Sequence, residues 1–207
     1  MQDIAEDWSL DGKYIVFCRY PQGAPGADIW VKPMSGDRKP FPFVQSKPSI
    51  HAEPRLSSDG RWLAYTTNES GTLQIVVQTF PDPTLGKFMV TTVGGVYPNW
   101  SRYRQELFYI ALDRKLMAVP VKDDGNKLDF GEPSVLFQSP FTVPTLPGAS
   151  PYDVSADGKR FVFIVNTTNP ADKLTTVPNW TAALHREVKK RTEQQASEQQ
   201  ITDRNQD

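Results

Sequence analysis

Two histidines, one cysteine and a scatter of serines and aspartates are the side chains here that could carry chemistry. A zinc site needs several His or Cys ligands at short, regular spacings. His51 and His185 are far apart, and neither has a cysteine or a second histidine nearby. No metal site is expected. Cys18 follows the apolar run Ile15-Val16-Phe17, which marks a buried structural thiol, and a single cysteine excludes an intrachain disulfide. A hydrolase nucleophile would need Gly-x-Ser-x-Gly on a strand-to-helix turn. Ser150, in Gly148-Ala149-Ser150-Pro151, lacks the second glycine and reads as a loop serine. Asp7 and Asp11-Gly12 faintly resemble calcium spacing, but the loop's terminal glutamate is missing. Gly94-Gly95 reads as a turn and Lys189-Lys190-Arg191 as a solvated helix face. The expectation is a chain with no catalytic residues, no cofactor and no enzymatic activity of its own.

The aspartates and glycines instead belong to a repeat. Ser9-Leu10-Asp11-Gly12-Lys13, Ser57-Ser58-Asp59-Gly60-Arg61 and Ser155-Ala156-Asp157-Gly158-Lys159 each precede an apolar run. A decayed copy, Ser101-Arg102-Tyr103-Arg104-Gln105, does the same. Ser9, Ser57, Ser101 and Ser155 stand 48, 44 and 54 residues apart. That period is the scale of one four-stranded propeller blade. Aspartate bonds nearby backbone N–H groups, and glycine takes a positive φ freely, so each Asp-Gly pair predicts a tight hairpin. Asp11, Gly12, Asp59, Gly60, Asp157 and Gly158 are therefore structural turn residues. The large residue before each serine (Trp8, Leu56, Trp100, Val154) is expected to end an inner strand and pack between blades.

The runs Ile15–Phe17, Leu63–Tyr65, Leu107–Tyr109 and Phe161–Phe163 predict second strands buried on both faces. Alternating segments at 28–33, 73–78 and 115–120 predict third strands, and 41–44, 88–91 and 134–137 predict outer ones. The fold expected is all-β: a propeller of three full four-stranded blades (4–48, 52–93 and 97–140) plus an incomplete fourth (150–180). A short helix at 181–191 and a disordered polar tail to 207 would complete the chain. Met1 to Asp7, read as preceding the first inner strand, is too short to complete the last blade. An open ring exposes a blade face, so a covering partner is expected: further blades, a second copy or another protein.

Across 207 residues the formal net charge is −1, which argues against nucleic acid as a partner. No stretch is apolar enough for membrane insertion, and the first residues lack the features of a signal peptide. The compartment stays unassigned.

At these repeats the chain resembles the TolB-type, WD40-like propeller family, whose signature is Ser-Pro-Asp-Gly, a basic residue and an apolar strand. Leu10, Ser58 and Ala156 replace the proline. Asn68-Glu69-Ser70-Gly71, Gln78-Thr79-Phe80-Pro81, Gly94-Gly95, Glu106-Leu107-Phe108-Tyr109 and the closing 179–184 segment are similar to C-terminal propellers of acidobacterial-type serine/threonine protein kinases. That resemblance implies a sensor or interaction module outside the cytoplasm, with catalysis left to a separate domain. No kinase motif is present in this chain.

Fold-level analogy places a ligand at the mouth of the central channel. The corresponding positions are His51, Glu53, Tyr97, Asn99, Ser150 and Tyr152, and a plain loop role stays open for each. The leading expectation is a non-catalytic scaffold for protein interaction or ligand sensing. The alternatives are an accessory propeller of a peptidase or kinase, or a truncated product without a function of its own.

Overall fold

The computed structural model describes residues 1–23, 26–103, 105–125, 127–140 and 150–164, and the backbone of 175–177. Four antiparallel sheets follow one another along the chain. The first is β1 (Gln2–Trp8), β2 (Tyr14–Tyr20), β3 (Asp28–Pro33) and β4 (Phe41–Val44), paired in that order. The second is β5 (His51–Leu56), β6 (Trp62–Thr67), β7 (Gln74–Thr79) and β8 (Lys87–Met89). In the third, β9 (Val96–Trp100), β10 (Glu106–Ile110) and β11 (Lys115–Asp123) are joined by β12 (Leu128–Phe130) and β13 (Ser134–Gln138). The fourth holds β14 (Tyr152–Val154), β15 (Phe161–Phe163) and β16 (Thr175–Val177). This is an all-β propeller: successive up-and-down sheets stack face to face, and their first strands (β1, β5, β9, β14) lie side by side around a common axis.

Period-2 alternation explains the stacking. Leu63 and Tyr65 of β6 pack with Val16, Cys18, Ile29 and Val31 of the first sheet. Trp62 and Ala64, on the opposite face, pack with Leu107, Tyr109 and Val119 of the third. Phe108 and Ile110 then meet Tyr152, Phe161 and Phe163 of the fourth. Every residue of β6 is buried. Each large side chain so covered contributes roughly 1.5–3 kcal/mol, so a blade draws its stability from the neighbour on each side.

Three sequence expectations are corrected. Residues 2–8 do not precede the first inner strand; they are that strand, β1. Trp8 does not pack between blades but is 57% exposed. The reason is directional: Leu56 packs in the core shared with the preceding sheet, as Trp100 and Val154 do in theirs. Trp8 has no preceding sheet among the described residues. The third sheet also has five strands, not four. The long β11 pairs β13 through its first half and β12 through its second, beyond Pro120. The expected 174–180 segment does contain a strand, β16 at Thr175–Val177. The helix and tail expected at 181–207 lie outside the described residues.

The three Ser-x-Asp-Gly turns share one hydrogen-bond pattern. Ser57 N–H donates to Trp62 O at 2.9 Å, and Gly60 N–H to Ser57 O at 2.9 Å. The Ser57 hydroxyl donates to Asp59 Oδ1 at 2.6 Å while its oxygen accepts Trp62 N–H at 3.0 Å. Asp59 Oδ1 also accepts Arg61 N–H at 3.1 Å. The turns at Ser9 and Ser155 repeat every one of these bonds. In the decayed copy Tyr103 stands where the aspartate would, so the carboxylate contacts cannot form, yet the Ser101 N–H to Glu106 O bond remains at 3.0 Å.

Gly60 has φ +69°, and a Cβ built there would touch nothing within 4 Å. Substitution is therefore costly only through the backbone. Gly60→Val should destabilise the protein by about 1–3 kcal/mol, and Gly60→Asn, which tolerates this conformation, by clearly less. Urea unfolding of the three purified proteins checks this; equal midpoints would refute the account of the turn.

Candidate functional site

The inner strands carry the irregularities that shape the axis. Register breaks between Ala5 and Asp7 in β1, between Ala52 and Arg55 in β5, and between Val96 and Asn99 in β9. The bulges fall at Glu6, at Glu53-Pro54 and at Tyr97-Pro98. Proline fits such a position because no ladder N–H is required there. The residues before the two prolines take left-handed backbone, φ 60° at Glu53 and φ 57° at Tyr97. Bulky residues rarely adopt it, and each such strain is of order 1–3 kcal/mol.

A buried chain of hydrogen bonds holds these strained residues. Glu53 Oε2 accepts the Thr66 hydroxyl at 2.6 Å and the Tyr97 N–H at 2.7 Å. The Tyr152 hydroxyl donates to Tyr97 O at 2.9 Å. The chain runs from the second sheet through the third to the fourth. Desolvation by burial pushes the Glu53 carboxyl up to about 7, although both hydrogen bonds oppose that shift.

Near it, Cys18 is buried and its thiol is pushed up to about 12 by desolvation, which leaves it inert. His51 is also fully buried, its ring edge-on to Tyr65 and its Nε2 3.7 Å from Glu69 Oε1. Desolvation lowers its pKa and keeps it neutral. Its backbone N–H donates to Ala27 O at 2.9 Å, tying the second sheet to the first.

At the far end of the same strands, beside the Ser-x-Asp-Gly turns, a cavity of about 510 Å³ opens. It is lined by 5–8 of β1, Arg55 and Leu56 of β5, Asn99 and Trp100 of β9, and β14. Leu10, Ser58, Arg102 and Ser150 form part of its rim. Of the residues singled out from sequence, Asn99, Ser150 and Tyr152 line this cavity. His51, Glu53 and Tyr97 do not; they are interior residues of their strands. Sequence reading missed Glu6, Asp7, Arg55 and Asp153. A signal existed for Asp7, Arg55 and Asp153: the residue two before each repeat serine (Asp7, Arg55, Asn99, Asp153) is polar or charged in all four copies.

These side chains join the blades. Asp7 Oδ2 accepts Leu56 N–H and Oδ1 accepts Trp8 N–H, both at 2.8 Å. Arg55 Nη1 donates to Glu6 O at 2.6 Å, and Trp100 Nε1 to Arg55 O at 3.0 Å. Asn99 Nδ2 donates to Asp153 Oδ1 at 3.2 Å. Desolvation raises the Glu6 and Asp7 carboxyls. Among the described residues no group of three or more His, Cys, Asp or Glu is placed to hold a metal ion. The arrangement offers recognition: polar walls, two indoles and an exposed leucine at the rim.

Comparison with known proteins supports the architecture. No family model matches the chain and no curated protein does. Among solved structures, TolB from Acinetobacter baumannii is similar with a TM-score of 0.53 at 16% identity, over 83% of this chain and 39% of that one. The Cps50 (Swd1) β-propeller domain of Myceliophteria thermophila matches at TM-score 0.45 and 10% identity, over 83% and 68%. A prolyl endopeptidase matches at TM-score 0.46 and 16% identity, over 76% and 22%. Of the three only the Acinetobacter protein exceeds a TM-score of 0.5, and at 16% identity that likeness shows the fold alone. The chain spans well under two thirds of that TolB.

The Glu53 site makes a pH prediction. Its folded pKa of about 7 lies above the ordinary 4.5, so the native state holds a proton that the unfolded chain releases. Stability from this group is fully present below pH 4.5 and is lost as pH rises through 7. Relative to Glu53→Gln, the unmodified protein should lose roughly 2–4 kcal/mol between those limits. Urea unfolding at a series of pH values checks it; parallel stability curves for the two proteins would contradict it.

Proposed function

We propose that this chain is a non-catalytic propeller module that binds a protein segment or ligand at the turn-side end of its channel. One observation carries the reading: four successive inner strands deliver their C-terminal ends to a single cavity, and exposed Trp8 and Leu10 stand on its rim. An exposed indole beside polar walls is a characteristic recognition surface. The module belongs to a larger assembly in this reading, in which further blades, a second copy or another protein covers the free face of the first sheet. A sensor role within a kinase-associated protein rests on sequence likeness alone.

The test is site-specific photocrosslinking in producing cells. A photoreactive amino acid replaces Ser58, exposed at the cavity rim, or Asp37, exposed on a loop of the first sheet that does not line the cavity. Discrete adducts at position 58 and none at position 37 are expected. No adduct at 58, or the same adducts at both, would overturn the reading.

A further inference from the structure

Equivalent positions of the repeat face equivalent neighbours. Six residues after the repeat serine stand Ile15, Leu63, Leu107 and Phe161, and eight after it Phe17, Tyr65, Tyr109 and Phe163. In the second, third and fourth sheets these side chains are at most 2% exposed, because each packs on the sheet before it. In the first sheet Ile15 is half-buried, Phe17 lies under the Arg19 guanidinium and Trp8 is 57% exposed.

The other end of the series is open in the complementary way. Seven and nine residues after the serine, Val16 and Cys18 of the first sheet face the second, and Phe108 and Ile110 of the third face the fourth. Val162 and Ile164 hold those positions in the fourth sheet, where Val162 is half-buried and Ile164 is 62% exposed.

The hydrogen bonds between inner strands also have a direction. Leu56 N–H donates to Asp7 Oδ2 at 2.8 Å, Trp100 Nε1 to Arg55 O at 3.0 Å, and the Tyr152 hydroxyl to Tyr97 O at 2.9 Å. In each pair the later sheet donates and the earlier accepts; the bond from Asn99 Nδ2 to Asp153 Oδ1 runs the other way. The first sheet thus ends the series as a donor and the fourth as an acceptor. Trp8 holds the place of Trp100, one residue before the serine, and Asp153 that of Arg55, two before.

Resting on the reading that a partner covers the free face of the first sheet, we propose that this partner is a second copy of the chain. Its fourth sheet stacks head to tail on the first, as each sheet within the chain stacks on the next. Val162 and Ile164 of the second copy cover Ile15 and Trp8, and Asp153 O of the second copy accepts Trp8 Nε1. One type of contact then covers both open faces, which an unrelated protein seated on the first sheet does not do. Arg19 is the obstacle on this face, since Thr67 and Ala111 hold its position in the next two sheets. Its bidentate pair with Asp3, at 2.8 Å, keeps the free face hydrated and must move aside, which weakens the association.

The experiment is sedimentation velocity on the full chain and on Trp8→Glu and Ile164→Glu. Both side chains are largely exposed, so the fold accepts a charge at either place. The unmodified chain should sediment as species larger than the monomer. Each variant alone should associate at least about tenfold more weakly. An equimolar mixture of the two should restore a one-to-one pair, because the intact first sheet of one meets the intact fourth sheet of the other. Arg19→Thr, which installs the residue of the second sheet, should tighten association, and it stands as the test if a glutamate variant does not fold. A monomer at every concentration up to the solubility limit would overturn the proposal. So would a mixture no more associated than its components, or unchanged or weaker association of Arg19→Thr. Adducts at position 58 with a protein other than this chain would persist through such a failure, which leaves the channel mouth as a binding site and removes only the second copy.

Discussion

One carboxylate oxygen, Glu53 Oε2, holds the inner strands in their unusual shape. It receives a hydroxyl from its own sheet and an amide N–H from the next. Without that acceptor, the Tyr97 N–H would keep only its longer bond to Thr66 Oγ1, at 3.3 Å, and the left-handed backbone at Tyr97 would be less firmly held. The Tyr97 carbonyl in turn accepts from Tyr152, so one bulge fixes the spacing of three sheets. The mouth depends on this spacing, because its walls are the continuations of the same strands. Glu6 occupies the corresponding bulge of the first sheet, where its Oε2 lies 3.5 Å from Arg55 Nη1 of the second.

The outer face of the first sheet has no neighbouring blade among the described residues. Its inward face is packed like any blade. On the other face Arg19 lies 4.1 Å from the Trp30 ring centroid and 5.3 Å from that of Phe17, held by a bidentate pair with Asp3 at 2.8 Å. A guanidinium spread over aromatic rings covers apolar surface while staying hydrated. It covers less than a neighbouring blade would, and Trp8 on that side stays open to solvent.

Much of the architecture was legible because a turn is a local device. Ser, Asp and Gly at fixed offsets specify their own hydrogen bonds, so three copies announce three hairpins wherever they occur. The continuous apolar runs were legible too, since a strand sandwiched between blades needs no polar face. The fate of Trp8 was not, because it depends on which sheet lies beside it rather than on its own neighbours in sequence. The extra strand β12 was missed because it pairs a continuation of β11 beyond Pro120, where the alternating pattern ends. The candidate site was half visible. Asn99 and Tyr152 line the cavity, while His51, Glu53 and Tyr97, members of β5 and β9, are buried in the core, the last two at bulges. A bulge shifts the alternation by one residue, and pattern counting does not see it.

The most direct test of this account is hydrogen exchange at the Tyr97 amide, followed by NMR under native conditions. If Glu53 Oε2 holds that N–H as a link between sheets, it should exchange only with global unfolding, as slowly as the amides of Leu63 and Leu107 in the central strands. Exchange as fast as that of the exposed turn at Gly71 would mean that the bulge opens freely, and that the carboxylate does not hold the blades together.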